Sequence, residues 1–179
     1  PMSARRQRQM CIRDRNRPKE ETEFISTLLE NSIKKHLQDL LDNQIKFMVI
    51  GDLSHLPENI KNTIDYAQTV TSKFTKYKLN IAYNYGGQWD IVNSINSLLS
   101  KNLVISSENL SEHLSTGNDF PDLIVRTGGY KRLSNFMLWQ AAYSELIFLD
   151  TLWPEFSSND VSDILNNYKS IKRKFGKVD

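Results

Sequence analysis

The sequence predicts an α/β fold, a parallel sheet with helices on its faces, from two observations. Four short apolar runs, residues 47–50, 79–82, 123–125 and 146–149, lack the polar alternation of half-exposed strands. Each is too short for a helix and reads as a strand buried on both faces. The segments between them carry apolar residues at helical spacing, and strands that alternate with helices imply parallel pairing through helical crossovers.

In chain order, residues 1–15 show no apolar periodicity and are expected to lie outside the folded domain, as a disordered or artefactual basic segment. The string Met10-Cys11-Ile12-Arg13-Asp14-Arg15 looks like translated adapter sequence. No apolar core of a signal peptide is present in this stretch. Residues 16–179 are expected to form the folded part. Pro18 precedes Glu20, Glu21 and Glu23, which suit the positive end of a helix dipole. Phe24, Ile25, Leu28, Leu29, Ile33, Leu37, Leu40 and Leu41 then recur at three- and four-residue spacing, so one amphipathic helix runs to about Asn43. The strand at 47–50 leads into Gly51-Asp52, a turn. Helices are predicted over 57–73, 89–99, 135–144 and 159–174, with a short helix and a polar loop over 106–119.

Composition places the chain among ordinary globular domains, with 39% hydrophobic and 25% charged residues. The apolar runs at 47–50 and 146–149 fall far short of the roughly 18 residues a membrane span needs. The lone Cys11 cannot close an intramolecular disulfide, and no Cys/His spacing suggests zinc, which fits a reducing, cytoplasmic setting. The net charge of +2 hides a basic front end: six arginines and one aspartate occupy the first seventeen residues, leaving 17 basic against 20 acidic residues in the remainder. That front end lacks the aromatic residues that stack on single-stranded bases, and no nucleic-acid partner is expected.

The chemistry concentrates after the third strand. Residues 126–136 read Arg-Thr-Gly-Gly-Tyr-Lys-Arg-Leu-Ser-Asn-Phe. Gly128 and Gly129 allow close backbone approach, Arg126, Lys131 and Arg132 bring positive charge, and the Ser134 hydroxyl stands just ahead of a predicted helix. Parallel sheets bind ligands at the carboxyl ends of their strands, and helix starts favour anions. Arginine's planar fork donates paired hydrogen bonds to phosphate oxygens. The pattern therefore suits a diphosphate, while a plain turn with Ser134 as a helix cap accounts for the same spacing. His36, His55 and His113 are scattered without a nucleophile, and Trp139 and Trp153 read as core and interface packing.

Three linked segments, Asp122-Leu-Ile-Val-Arg-Thr-Gly-Gly129, Arg132-Leu-Ser-Asn-Phe-Met-Leu-Trp-Gln140 and Ala142-Tyr-Ser-Glu-Leu146, together resemble the signature of the undecaprenyl diphosphate synthase family of cis-prenyltransferases. Asn16-Arg-Pro18, Val49-Ile-Gly-Asp52, Leu79-Asn-Ile-Ala82, Asn84-Tyr-Gly-Gly87, Trp89-Asp-Ile-Val92 and Leu152-Trp-Pro-Glu-Phe156 agree in order. The resemblance implies an enzyme that adds isopentenyl diphosphate to an allylic diphosphate such as farnesyl diphosphate. The product is a polyprenyl carrier lipid made at the cytoplasmic membrane face, with Mg2+ helping pyrophosphate to leave, and the family forms homodimers. On these matched positions, Arg126, Arg132, Leu133 and Ser134, with Gly128, Gly129 and Arg17, are implied to bind the substrate diphosphate. Glu145 is implied to be the magnesium-associated acid, and Lys174 and Gly176 to reach the partner subunit's substrate.

The sequence also departs from the family pattern. Arg15 stands where the family has tryptophan before Arg17, and Lys174 stands where it has arginine. Tyr130 and Lys131 replace an acid and a frequent histidine or glutamine; the family histidine can contribute to the metal site, and Lys131 puts that ligand in doubt. The family's opening strand and its His-x-x-Asp-Gly-Asn-x-Arg-Trp loop, whose aspartate is central to pyrophosphate departure, have no counterpart here, and the chain as given is expected to be inactive. A non-catalytic subunit of the same fold is an alternative. A basic nucleic-acid-binding module, resting on the first seventeen residues alone, is another.

Overall fold

The computed structural model describes residues 18–171. They group into two compact units that divide between Tyr85 and Gly86. Both are built from parallel strands and helices, the predicted class.

In the first unit, helix α1 (Lys19–Asp42) starts directly after Pro18, and strand β1 (Ile45–Ile50), helix α2 (Glu58–Thr71) and strand β2 (Tyr77–Ala82) follow. β1 and β2 pair in parallel, with Phe47 opposite Leu79 and Ile50 opposite Ala82. The core sits where Leu29, Ile33 and Leu40 of α1 and Ile60, Ile64 and Ala67 of α2 close over Phe47 and Val49 of β1. Helix α2 also serves β1 through its polar groups: Thr71 Oγ1 accepts from the Phe47 N–H at 3.1 Å, and Gln68 Oε1 from the Val49 N–H at 3.0 Å. Main-chain donors at the strand are thereby satisfied by side chains. Glu30 of α1 accepts from Lys34 at 2.7 Å and from Asn59 and Thr63 of α2 at 3.2 and 3.3 Å. The Lys34 hydrogen bond, chiefly, holds its carboxyl below the ordinary glutamate range. Gly51 takes φ +118°, and a side chain there would strike the Tyr83 carbonyl, so Gly51-Asp52 is the expected turn.

The second unit contains helices α3 (Gly87–Ser100) and α4 (Ser107–His113), strand β3 (Leu123–Arg126), strand β4 (Glu145–Phe148) and helix α5 (Ser158–Ser170). β3 pairs in parallel with β4, Leu123 opposite Glu145 and Arg126 opposite Phe148. Its polar hub is Asp90 on α3, which is almost wholly buried. One carboxylate oxygen accepts from the N–H and hydroxyl of Ser115 at 2.9 and 2.6 Å, and the other from Gln140 Nε2 at 3.0 Å. Gln140 also donates to Thr116 Oγ1 at 3.3 Å. Helix α5 opens on a capping box, in which Ser157 and Asp160 exchange hydrogen bonds.

Three expectations are corrected. The strands are not uniformly buried: β1 is buried or half-buried beneath α1 and α2, while Tyr77 and Leu79 of β2, Val125 of β3 and Leu146 of β4 are exposed. The helix expected over 135–144 shrinks to one short 3-10 turn, Gln140–Tyr143. Asn135 and Met137 hold φ of +66° and +47°, a left-handed backbone no right-handed helix can contain. Trp153 is exposed and stacks on Phe156 at 5.6 Å, so it is not a core residue. Among the described residues no helix is long and apolar enough to cross a membrane.

Asp90→Ala strands the buried amide of Gln140 and the donors of Ser115, and should lower unfolding stability by about 3 kcal/mol, measured by denaturant titration. The Asp160 carboxyl is held below its ordinary value by the Ser157 hydroxyl and N–H. A depressed folded value stabilises above the unfolded value, near 4, and that stabilisation is lost as the pH falls through the folded value. The start of α5 should therefore fray in acid, seen as faster amide exchange at Asp160 below about pH 4 than at pH 6, after correction for intrinsic rates.

Candidate functional site

β3 ends at Arg126, and the chain then turns through Gly128 and Gly129, whose φ values of +88° and +77° admit glycine far more readily than other residues. Their N–H groups donate to Thr151 O at 2.9 Å and Leu149 O at 2.8 Å. The glycine amides are thus spent on the chain that leaves β4. The pair shapes the loop, and its two N–H groups are not open to a ligand. A side chain at Gly129 would meet Asp150 Oδ1 at 3.3 Å.

The returning segment brings Arg132 and Ser134 back to Arg126. Nη1 of Arg126 donates to the Arg132 carbonyl and, at 2.8 Å, to Ser134 Oγ. Nε of Arg132 donates to the same oxygen at 3.2 Å. Ser134 therefore accepts from both guanidinium groups, which leaves its own O–H to donate outward. It is not a helix cap: its φ is +50°, and no helix follows. An anion here would meet side-chain donors and positive charge, not the helix start that the sequence predicts.

Tyr130 completes the cluster. Its ring centre lies 4.4 Å from the Arg132 guanidinium carbon and 5.8 Å from that of Arg126. Lys131 beside it is exposed, and Leu133 is half-buried.

Helix α3 fixes the far side of this loop. Its first amide, Gly87 N–H, donates to the Asn135 carbonyl at 2.6 Å, and the Gln88 N–H donates to Asn135 Oδ1 at 2.9 Å. Asn135 thus satisfies two of the amides that every helix start leaves unpaired. It tolerates the left-handed backbone better than most residues, which suits it to this junction. Gly87 is needed for the close approach, since a side chain there would sit 2.9 Å from the Leu138 nitrogen.

The structure thus brings together Arg126, Arg132 and Ser134, with Gly128 and Gly129 shaping their loop. It does not bring Glu145 to them. Glu145 starts β4, three residues before the partner of Arg126, about 10 Å away along the strands. Among the described residues no group of three or more His, Cys, Asp or Glu is placed to hold a metal. Arg17, Lys174 and Gly176 lie outside the described residues. Sequence reasoning missed Tyr130 as a partner of the arginines and Asn135 as the loop's anchor. An aromatic residue set between a glycine pair and a basic pair was the available signal for the first, and a Ser-Asn pair, common in turns, for the second.

Gly87→Ala should push residues 134–138 off the helix start. The expected result is a stability loss of about 1–3 kcal/mol in denaturant unfolding and faster amide exchange confined to that loop and the first turn of α3.

The chain matches, over residues 10–176, the family model described as "Putative undecaprenyl diphosphate synthase". It is 42% identical over 169 residues to the tritrans,polycis-undecaprenyl-diphosphate synthase (geranylgeranyl-diphosphate specific) of Pyrobaculum aerophilum, covering 90% of this chain and 71% of that one. It is 38% identical over 169 residues to the ditrans,polycis-undecaprenyl-diphosphate synthase ((2E,6E)-farnesyl-diphosphate specific) of Buchnera aphidicola, covering 90% and 67%. A crystal structure of a probable undecaprenyl diphosphate synthase from Campylobacter jejuni superposes with a TM-score of 0.82 at 33% identity, over 90% of this chain and 77% of that chain. A strand end with converging arginines, the shared fold and a match along most of the length agree, and the chain belongs to the undecaprenyl diphosphate synthase family of prenyltransferases.

Proposed function

We propose that this chain acts in cis-prenyl transfer, with Arg126, Arg132 and Ser134 holding the diphosphate of isopentenyl diphosphate while it is joined to an allylic diphosphate. The observation that carries this reading is the convergence of two guanidinium groups on one serine hydroxyl at the carboxyl end of a parallel strand. Two guanidinium groups held side by side present positive charge and donors to an anion. A diphosphate offers both the charge and several oxygens for the donors that Arg132 and Ser134 retain. A neutral ligand would leave those donors unmatched.

The printed names of the relatives differ in the allylic partner, farnesyl diphosphate in one and geranylgeranyl diphosphate in another. The shared chemistry is an allylic diphosphate, and farnesyl diphosphate is the primer to try first. Leu133 contributes to this reading as part of the loop backbone between Arg132 and Ser134. Lys131 adds general positive charge.

Glu145, at the start of β4, is the acid we propose for Mg2+, an ion that one or two carboxylates hold together with waters and substrate phosphates. Bound there, the metal would supply charge to help pyrophosphate leave.

Titration calorimetry with isopentenyl diphosphate tests the reading. Arg132→Ala should weaken binding about 10- to 100-fold, the worth of one charge-assisted interaction. Arg132→Lys should recover only part of it, because an ammonium cannot reproduce the fork. Unchanged affinity in Arg132→Ala, with the fold intact by circular dichroism, would overturn the assignment.

A further inference from the structure

We infer that Asn135 is a positioning residue for the diphosphate site: by tying the loop to the first amides of α3, it sets where the Ser134 hydroxyl stands. This inference rests on the diphosphate reading above and adds a residue to it.

Ser134 and Asn135 hold φ of +50° and +66°, two successive residues in the left-handed region. That backbone is unfavourable for residues with a side chain, and a chain keeps to it only where surrounding contacts hold it there. The contacts come from α3. The Asn135 carbonyl accepts from the Gly87 N–H at 2.6 Å, and Asn135 Oδ1 accepts from the Gln88 N–H at 2.9 Å. One residue is thus gripped by its main chain and its side chain together, which fixes its orientation as well as its place. A side chain at Gly86 would meet Asn135 Nδ2 at 2.7 Å, so the amide group lies against bare backbone.

Ser134 is one peptide bond away and takes its placement from this anchor. Its Oγ accepts from Arg126 Nη1 at 2.8 Å and from Arg132 Nε at 3.2 Å. The second distance is at the long end of the N–H···O range, so a displacement of Ser134 by about half an ångström would lose it. Arg132 is exposed and its side chain has many rotamers, so its fork would then wander, and a ligand would have to order it again. Both Asn135 oxygens bond α3, and its effect on a ligand therefore passes through Ser134.

The probe is inorganic pyrophosphate, titrated by calorimetry into the chain and its variants, each first shown to be folded by its denaturant midpoint. Asn135→Gly keeps the left-handed backbone accessible but removes Oδ1, and should weaken binding about three- to tenfold. Ser134→Ala should weaken it by a similar factor. Asn135→Gly added to Ser134→Ala should cost less than about twofold more, because the hydroxyl it positions is already gone. A residue that only caps α3 would change affinity equally in both backgrounds, or in neither. Asn135→Asp keeps the acceptor for Gln88 and tolerates the same backbone, and it carries the test if the glycine variant does not fold. Its deficit arises from added charge and should close to within about twofold of the parent as salt rises. Affinity of the glycine variant equal to the parent's, equal losses with and without the Ser134 hydroxyl, or an aspartate variant as weak as Ser134→Ala at high salt overturns this inference alone. Absence of pyrophosphate binding by the unsubstituted chain overturns the diphosphate reading itself, and this inference with it.

Discussion

Two guanidinium groups share one hydroxyl, and much of the second unit serves to hold those like charges together. Nothing in the arginine side chains favours their meeting. Their convergence is set by backbone, because β3 delivers Arg126 at its carboxyl end and the loop from Gly128 to Ser134 folds back to place Arg132 and Ser134 beside it. The loop holds this path against its own preferences. Ser134, Asn135 and Met137 occupy left-handed backbone, which costs on the order of 1 kcal/mol per residue. That cost is offset at both ends, by the glycine amides bonded to the chain after β4 and by Asn135 bonded to the first amides of α3.

The hub at Asp90 supports the same arrangement from behind. Its buried carboxylate ties α3 to Ser115, after α4, and to Gln140, just beyond the site loop. The loop is therefore anchored at its start, its middle and its end. A surface turn with a single attachment would let two repelling cations drift apart. Here the backbone has few other places to go, so the donors stand ready before a ligand arrives, and less ordering cost falls on binding.

The glycine pair shows how a sound chemical instinct can reach the right residues for the wrong reason. Close backbone approach to phosphate is a common use of adjacent glycines after a strand. In this loop their N–H groups are consumed by carbonyls of Leu149 and Thr151, and what the pair supplies is a turn with positive φ. The cationic side chains carry the electrostatics instead. Glu145 offers a parallel lesson. Its place at the start of β4 follows from strand register, and register sets it away from the arginines however near the two motifs stand in sequence.

Much of the fold was legible in the residues alone. Short apolar runs marked all four strands, and the stripe from Phe24 to Leu41 marked α1, because side chains packed in the interior leave a local apolar pattern in the sequence. Arg126, Arg132 and Ser134 were legible as a group because charge, hydroxyl and glycine spacing are local features. The segment 135–144 was not. Phe136, Met137, Trp139 and Gln140 mimic helical spacing, yet the chain there follows tertiary demands: amides at the start of α3 that need Asn135, and an Asp90 carboxylate that needs Gln140. The stacking of Tyr130 on two arginines was likewise invisible, since it depends on a loop returning across six residues to meet its own beginning. Sequence by itself determined which elements form and which groups carry charge, because those follow from short-range periodicity and residue chemistry. Only the tertiary structure decided which donors remain open and which groups face one another, because that depends on contacts between segments whose separation along the chain carries no periodic signal.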